Sequence, residues 1–169
     1  MLRHALLLSA VVVPFASCGT TSRLIEDKLT DPAAIGAVEL GTVSFDYTKW
    51  ANHDANDLAS AKQHESAWSK TIGDAFLARA THRGLTNGAQ HTRIDITIVD
   101  IDPGKHTERS EFGAGDGTGI VKALVEPQGH GSFRIDGRIS VGAWGGEFDR
   151  VLEKLGKEIA DHLAKRRHG

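Results

Sequence analysis

The segment SFRIDGRISV, residues 132–141, alternates apolar and polar side chains. In an extended chain Phe133, Ile135, Ile139 and Val141 share one face, and Arg134, Asp136, Arg138 and Ser140 share the other. Such a strand has one face to bury and one to keep wet, which calls for a covering layer on one side only. HTRIDITIVDID has the same character, with Ile94, Ile96 and Ile98 opposite Asp95 and Thr97, and GIVKALVEP reads as a more apolar strand. In AVELGTVSFDY the alternation changes phase at Gly41, between Val38 and Leu40 on one side and Val43, Phe45 and Tyr47 on the other. That change predicts a bulge or bend in a fourth strand.

Two segments carry the helical period instead. Trp68, Ile72, Ala75, Phe76 and Ala80 form one stripe within a helix predicted from about Asp57 to Arg83. Ser60 and Gln63 have the spacing of a capping box at its start, and Gly84 fits its end. Phe148, Val151, Leu152, Leu155, Ile159 and Leu163 form a second stripe, followed by what reads as a solvated tail, Lys165-Arg166-Arg167-His168. The order strand, helix, three strands, helix predicts an α+β two-layer sandwich. Both amphipathic helices lie on one face of a four-stranded, largely antiparallel sheet.

The chain opens MLRHALLLSAVVVPFASCGTTS. A basic start, a short apolar run and small residues before Cys18 describe a secretory leader over residues 1–17. The run is too short to cross a bilayer, which needs roughly 20 apolar residues as a helix. Phe15-Ala16-Ser17-Cys18 resembles the lipobox of bacterial lipoproteins. That resemblance implies acylation of the Cys18 thiol, cleavage before it and acylation of the new amine. Two or more acyl chains hold a protein stably where one does not, at about 0.8 kcal/mol per buried CH₂. Gly19 stands where inner-membrane lipoproteins carry Asp, so the resemblance implies the inner leaflet of the outer membrane, facing the periplasm. Residues 18–35 then read as lipidated cysteine and tether, with Leu24, Ile25 and Leu29 able to form one amphipathic turn. A single domain is expected over 36–169.

Cys18 is the only cysteine, so no disulfide can form within the chain. The leader holds one of the 20 basic residues and none of the 22 acidic ones, leaving a mature net charge of about −3. No basic face of the kind that binds nucleic acid is indicated.

RSEFGAGDGTGIV is the least ordinary stretch. Gly113, Gly115, Gly117 and Gly119 alternate, so an extended chain would show one face of bare backbone that another backbone or ring could approach closely. A phosphate-binding loop needs its glycines to open a helix, whereas these run into a strand, and no Gly-Lys-Ser/Thr follows. The remaining readings are a close-approach surface or a connector.

With Arg109 and Phe112-Gly113-Ala114-Gly115, the strands near 120–126 and 132–141 and a helix from Gly146, the chain resembles small bacterial envelope lipoproteins with an Arg-x-x-x-Gly-x-Gly segment. These look like the α+β domains of the curli secretion-channel lipoprotein and of TolB. The resemblance implies a non-catalytic component of envelope assembly.

The sequence has no Gly-x-Ser-x-Gly elbow and no zinc-ligand spacing among its nine histidines. His53, Asp54, His64, Asp100, Asp102 and His106 could meet only as a site built from different segments. Scattered surface histidines are the expected arrangement, with no metal and no cofactor. Arg134, Asp136 and Arg138 are expected to pair across strands with Asp95 and Lys122. Trp68 belongs to the helix stripe and to the core. Trp50 and Trp144 lie in polar or glycine-rich loops and are candidate interface anchors. The chain reads as a lipid-anchored, periplasm-facing protein working through contacts with a protein partner or with copies of itself, not an enzyme. The alternative is a lipoprotein that binds a small ligand or metal, with the 48–58 loop and the glycine segment as walls.

Overall fold

The computed structural model describes residues 20–49, 55–102, 118–140 and 148–168. Strand β1 (Thr20–Leu29) is followed by β2 (Ala37–Phe45), helix α1 (Ala55–His82), β3 (His91–Asp102), β4 (Thr118–Pro127), β5 (Gly131–Ser140) and helix α2 (Asp149–His168). Short 3₁₀ turns at Pro32–Ala34 and Tyr47–Lys49 flank β2. The strands form one sheet in the order β1-β5-β4-β3-β2. Neighbours are antiparallel except β2 and β3, which run parallel because α1 carries the chain back between them.

The α+β two-layer architecture is as the periodicity implies, with five strands in place of four. The added strand is β1. Residues 20–29, expected to be tether, pair with β5 from Thr20 opposite Ile139 to Leu29 opposite Gly131. The phase change at Gly41 is a register shift between Leu40 and Val43.

Both helices cover the face bearing Ile94, Ile96, Ile98, Val121, Ala123, Val125, Phe133 and Ile135, all buried. The α1 stripe of Trp68, Ile72, Ala75, Phe76 and Ala80 is buried, and so is the α2 stripe from Val151 to Leu163. The helices run side by side and are closest at Gly156. A Cβ there would lie 2.9 Å from Phe76 N and 3.0 Å from Ala75 Cβ, and would also meet the Ile72 carbonyl. Arg79 grips Asp161 with two bonds of 2.9 Å, and Arg83 adds a third at 2.5 Å. Burial alone would raise the Asp161 carboxyl, but these guanidinium hydrogen bonds outweigh it and hold the group below the usual carboxylate range.

Two local expectations are corrected. Helix α1 begins at Ala55, so Ser60 is an interior residue, not the cap of a Ser60–Gln63 box. Leu58 and Ala61 pack on the core and draw that first turn into the helix. The predicted tail is the last turn of α2. Arg166 Nε lies 3.0 Å from Asp27 and Arg167 donates to the Gly36 carbonyl at 3.3 Å, so two of its four residues are anchored. Gly84 does end α1, with φ +69.

Candidate functional site

Cys18, Trp50, Gly113, Gly115, Gly117 and Trp144 lie outside the described residues. Gly119 lies inside β4, where its backbone stands opposite Ile139 of β5. The sheet register locates the described residues that flank the others. Thr20 is level with Ile139, Thr118 with Ser140, and Asp102 with Ile120. Strand β2 ends nearby, with Phe45 opposite Ile98. Helix α2 begins close to Trp68 of α1, through Phe148 at 5.6 Å between rings. The chain ends bordering all six residues therefore gather at one end of the sheet. The other end carries the 128–130 turn and the connections 30–36 and 83–90.

An aromatic cluster closes the core at the first of these ends. Phe45 stands 6.0 Å from Tyr47 and 6.4 Å from Trp68, which is buried as expected. His64 stacks on Trp68 at 5.3 Å. The Tyr47 hydroxyl donates to Glu65 at 2.8 Å. Burial first, and this bond second, push the phenol well above its ordinary pKa.

Strand β1 is an edge of the sheet, and among the described residues no strand pairs with its outer side. Its register slips between Leu24, opposite Ile135, and Glu26, opposite Arg134, which leaves Ile25 as the bulged residue. Leu24 is 42% exposed and Ile25 48%, the two most exposed large apolar side chains among the described residues. Asp27 ties the strand to α2. His162 Nε2 lies 3.1 Å from Asp27 Oδ2 without the alignment of a hydrogen bond, and Arg166 reaches the same oxygen. A cleft of about 180 Å³ separates β1 from α2 beside Leu24 and His162. It is smaller than the roughly 300 Å³ at which ligand pockets begin.

These β1 features were not found from the sequence. The bulge hides the alternation, and the inward position after it is a charged residue, Asp27, whose partners belong to α2.

The open face of the sheet is polar and internally paired. Lys122 bonds Asp100 on β3 at 2.7 Å and stands opposite Asp136 on β5. Arg138 Nη2 lies 3.7 Å from Asp136. Asp95 is held by Arg93 and Thr42 and not by β5. Of the histidine–carboxylate set, His64 is stacked on Trp68 and Asp100 is paired with Lys122, while His53, Asp54 and His106 lie outside the described residues. Among the described residues no three His, Cys, Asp or Glu side chains are grouped to hold a metal ion. No described helix is long and apolar enough to cross a membrane.

No protein-family model matches the chain, and no curated protein is similar to it in sequence. Among solved structures it is similar to the PelC dodecamer from Paraburkholderia phytofirmans and to a single-substitution form of that dodecamer. Each match has 11% identity and a TM-score of 0.43, covering 86% of this chain and 97% of the other. Both are PelC, neither of the two proteins named from the sequence. At this score the likeness is loose, and it assigns no activity, ligand or partner to this chain.

Proposed function

We propose that residues 1–17 are a cleaved leader and that Cys18 carries a lipid anchor. The α+β domain then faces the periplasm from the outer membrane and acts through protein contacts in envelope assembly or maintenance, without catalysis. The observation that carries this reading is β1. It is an edge strand with no partner strand on its outer side among the described residues, it begins two residues after Cys18, and it presents Leu24 and Ile25 to solvent. Open strand edges are templates for pairing with another chain, and proteins usually blunt them with charge, a bulge or a cover. Here the bulge itself exposes apolar side chains, which favours a contact with a protein partner or a second copy. Trp50, Trp144 and the glycine segment 113–119 are proposed to add to the contact surface from the end of the sheet where their described neighbours gather.

A photo-crosslinking residue at Ile25, introduced into the chain in intact cells, tests the reading. A reproducible adduct from Ile25, absent from the exposed α2 position Glu153, is the expected result. No adduct from Ile25, together with turnover of an envelope substrate by the purified domain, would replace the reading with an enzymatic one.

A further inference from the structure

We infer that the β1 edge receives a second copy of this chain, antiparallel and edge to edge, about a two-fold axis between Leu24 and Ile25. This rests on the contact role proposed above for β1 and names its partner. Among the described residues the outer side of β1 is unpaired.

The register of β1 fixes how two copies can meet. Ser22, Leu24 and Asp27 stand opposite Gly137, Ile135 and Phe133, on the face that the helices cover. Arg23 stands opposite Asp136 and Glu26 opposite Arg134, on the open face. The bulge at Ile25 thus makes the helix-facing positions even up to Leu24 and odd from Asp27. Two sheets that join with all their helices on one side need opposed residues to share a face.

About an axis between Leu24 and Ile25, Arg23 meets Glu26 of the second copy and Ser22 meets Asp27 of the second copy. Both pairs share a face, and the extra residue of one strand is matched by that of the other. One residue of slip sets Leu24 or Ser22 against Glu26, which face opposite ways. Two residues of slip set Arg23 against Lys28, a like-charge pair, or against Leu24, on the other face. Past Lys28 the Leu29 amide already bonds Asp27 Oδ1 at 3.1 Å, so the shared ladder ends there.

The side chains suit that register. Arg23 is exposed and has no ion-pair partner among the described residues, and the second copy brings Glu26 opposite it. At the axis the exposed Leu24 of each copy lies against the exposed Ile25 of the other. Exposed ion pairs add little affinity, so the charges select the register while the ladder and the apolar centre hold the copies. A two-fold contact closes on itself and stops at a pair, with β2 at both outer edges of the joined sheet.

The test uses the full chain made in bacterial cells. Two differently tagged copies are co-expressed, and one tag is captured after detergent solubilisation. Native copies are expected to come down together. R23E sets two carboxylates against each other across the axis, and E26R sets two guanidinium groups. Each variant is expected to lose capture of itself several-fold. R23E co-expressed with E26R restores opposite charges at both places and should return capture to near the native level. Each exchange also sets like charge opposite Asp136 or Arg134 within its own chain. That disturbance persists in the mixture, so recovery reports the contact between copies. A photo-crosslinking residue at Ile25 reads the partner's mass, and an adduct of two chains is expected.

Single variants that capture themselves like the native chain, or a mixture that stays apart, overturn the two-fold register. Native copies that never come down together, with an Ile25 adduct to another protein, overturn the second copy and leave β1 as a contact strand. No Ile25 adduct at all overturns the contact role, and this pairing with it.

Discussion

Asp95 Oδ1 accepts the backbone N–H of Thr42 at 2.7 Å, across the bulge that interrupts β2 between Leu40 and Val43. A bulge leaves a backbone group without its ladder partner, and here a side chain of the neighbouring strand replaces it. Arg93 steadies the carboxylate at 3.1 Å and reaches the Thr42 hydroxyl at 2.8 Å. The Thr42 amide first, with Arg93 in support, holds the Asp95 carboxyl below the usual carboxylate range, against the opposing effect of burial. Replacing Asp95 with Ala is expected to cost about 1–2 kcal/mol, read as a lower urea midpoint with an unchanged slope. Asn keeps an acceptor and should recover most of the loss near neutral pH. The contribution of the ionised group is present above the unfolded pKa of about 4 and fades as pH falls through the lower folded value. An Ala variant as stable as the native chain would show that the bulge needs no such acceptor.

His162 packs against Phe133 with 4.5 Å between ring centroids. Burial lowers its pKa, the charge of Asp27 opposes that, and Arg166 and Lys165 push it down further. The folded state therefore resists protonation. Its contribution is complete above the unfolded pKa of about 6.5 and is lost as pH falls through the folded value. The urea midpoint should decline on the acid side of neutrality, and H162Q should flatten that decline. A native midpoint constant down to the range where carboxylates titrate would contradict this.

Gly156 leaves no room for a side chain where α2 crosses α1. G156A is expected to destabilise the domain by about 1–3 kcal/mol through overpacking. This holds although Ala is the better helix former by about 1 kcal/mol. Thermal unfolding followed by circular dichroism measures the balance, and a raised melting temperature would mean that the helices separate freely.

Cys18 precedes the first strand residue, so C18A should leave the folded domain's spectrum and melting point unchanged. The variant should lose fatty-acid label and remain uncleaved at this site in bacterial cells. Label equal to that of the native chain would place the acyl group elsewhere.

Four strands and both helices were legible because each carries its own period. Phe133 and Ile135, or Ile72 and Phe76, declare a buried face by spacing alone, and the phase change at Gly41 announced its bulge. Strand β1 was not legible. Ile25 breaks its alternation, and the next inward residue is Asp27, a charge that makes sense only beside His162 and Arg166 of α2. The Ser60–Gln63 spacing misled for a related reason, since Leu58 and Ala61 find the core and pull the helix start back to Ala55. Of the contact residues expected from the sequence, Gly119 alone lies among the described ones, in a strand as its run into GIV implied.

The sequence by itself determined the layers, because side-chain period is a local property that a helix or strand cannot evade. It also carries the linear pattern on which the proposed leader and Cys18 anchor rest. Only the tertiary structure decided that β1 joins the sheet, that β2 and β3 run parallel, and that the chain ends flanking Cys18, Trp50, the glycine segment and Trp144 meet at one end. Those outcomes depend on strand pairings and ion pairs between distant segments. Such contacts leave no period in the chain, and they become visible only when β5 and α2 stand beside their partners.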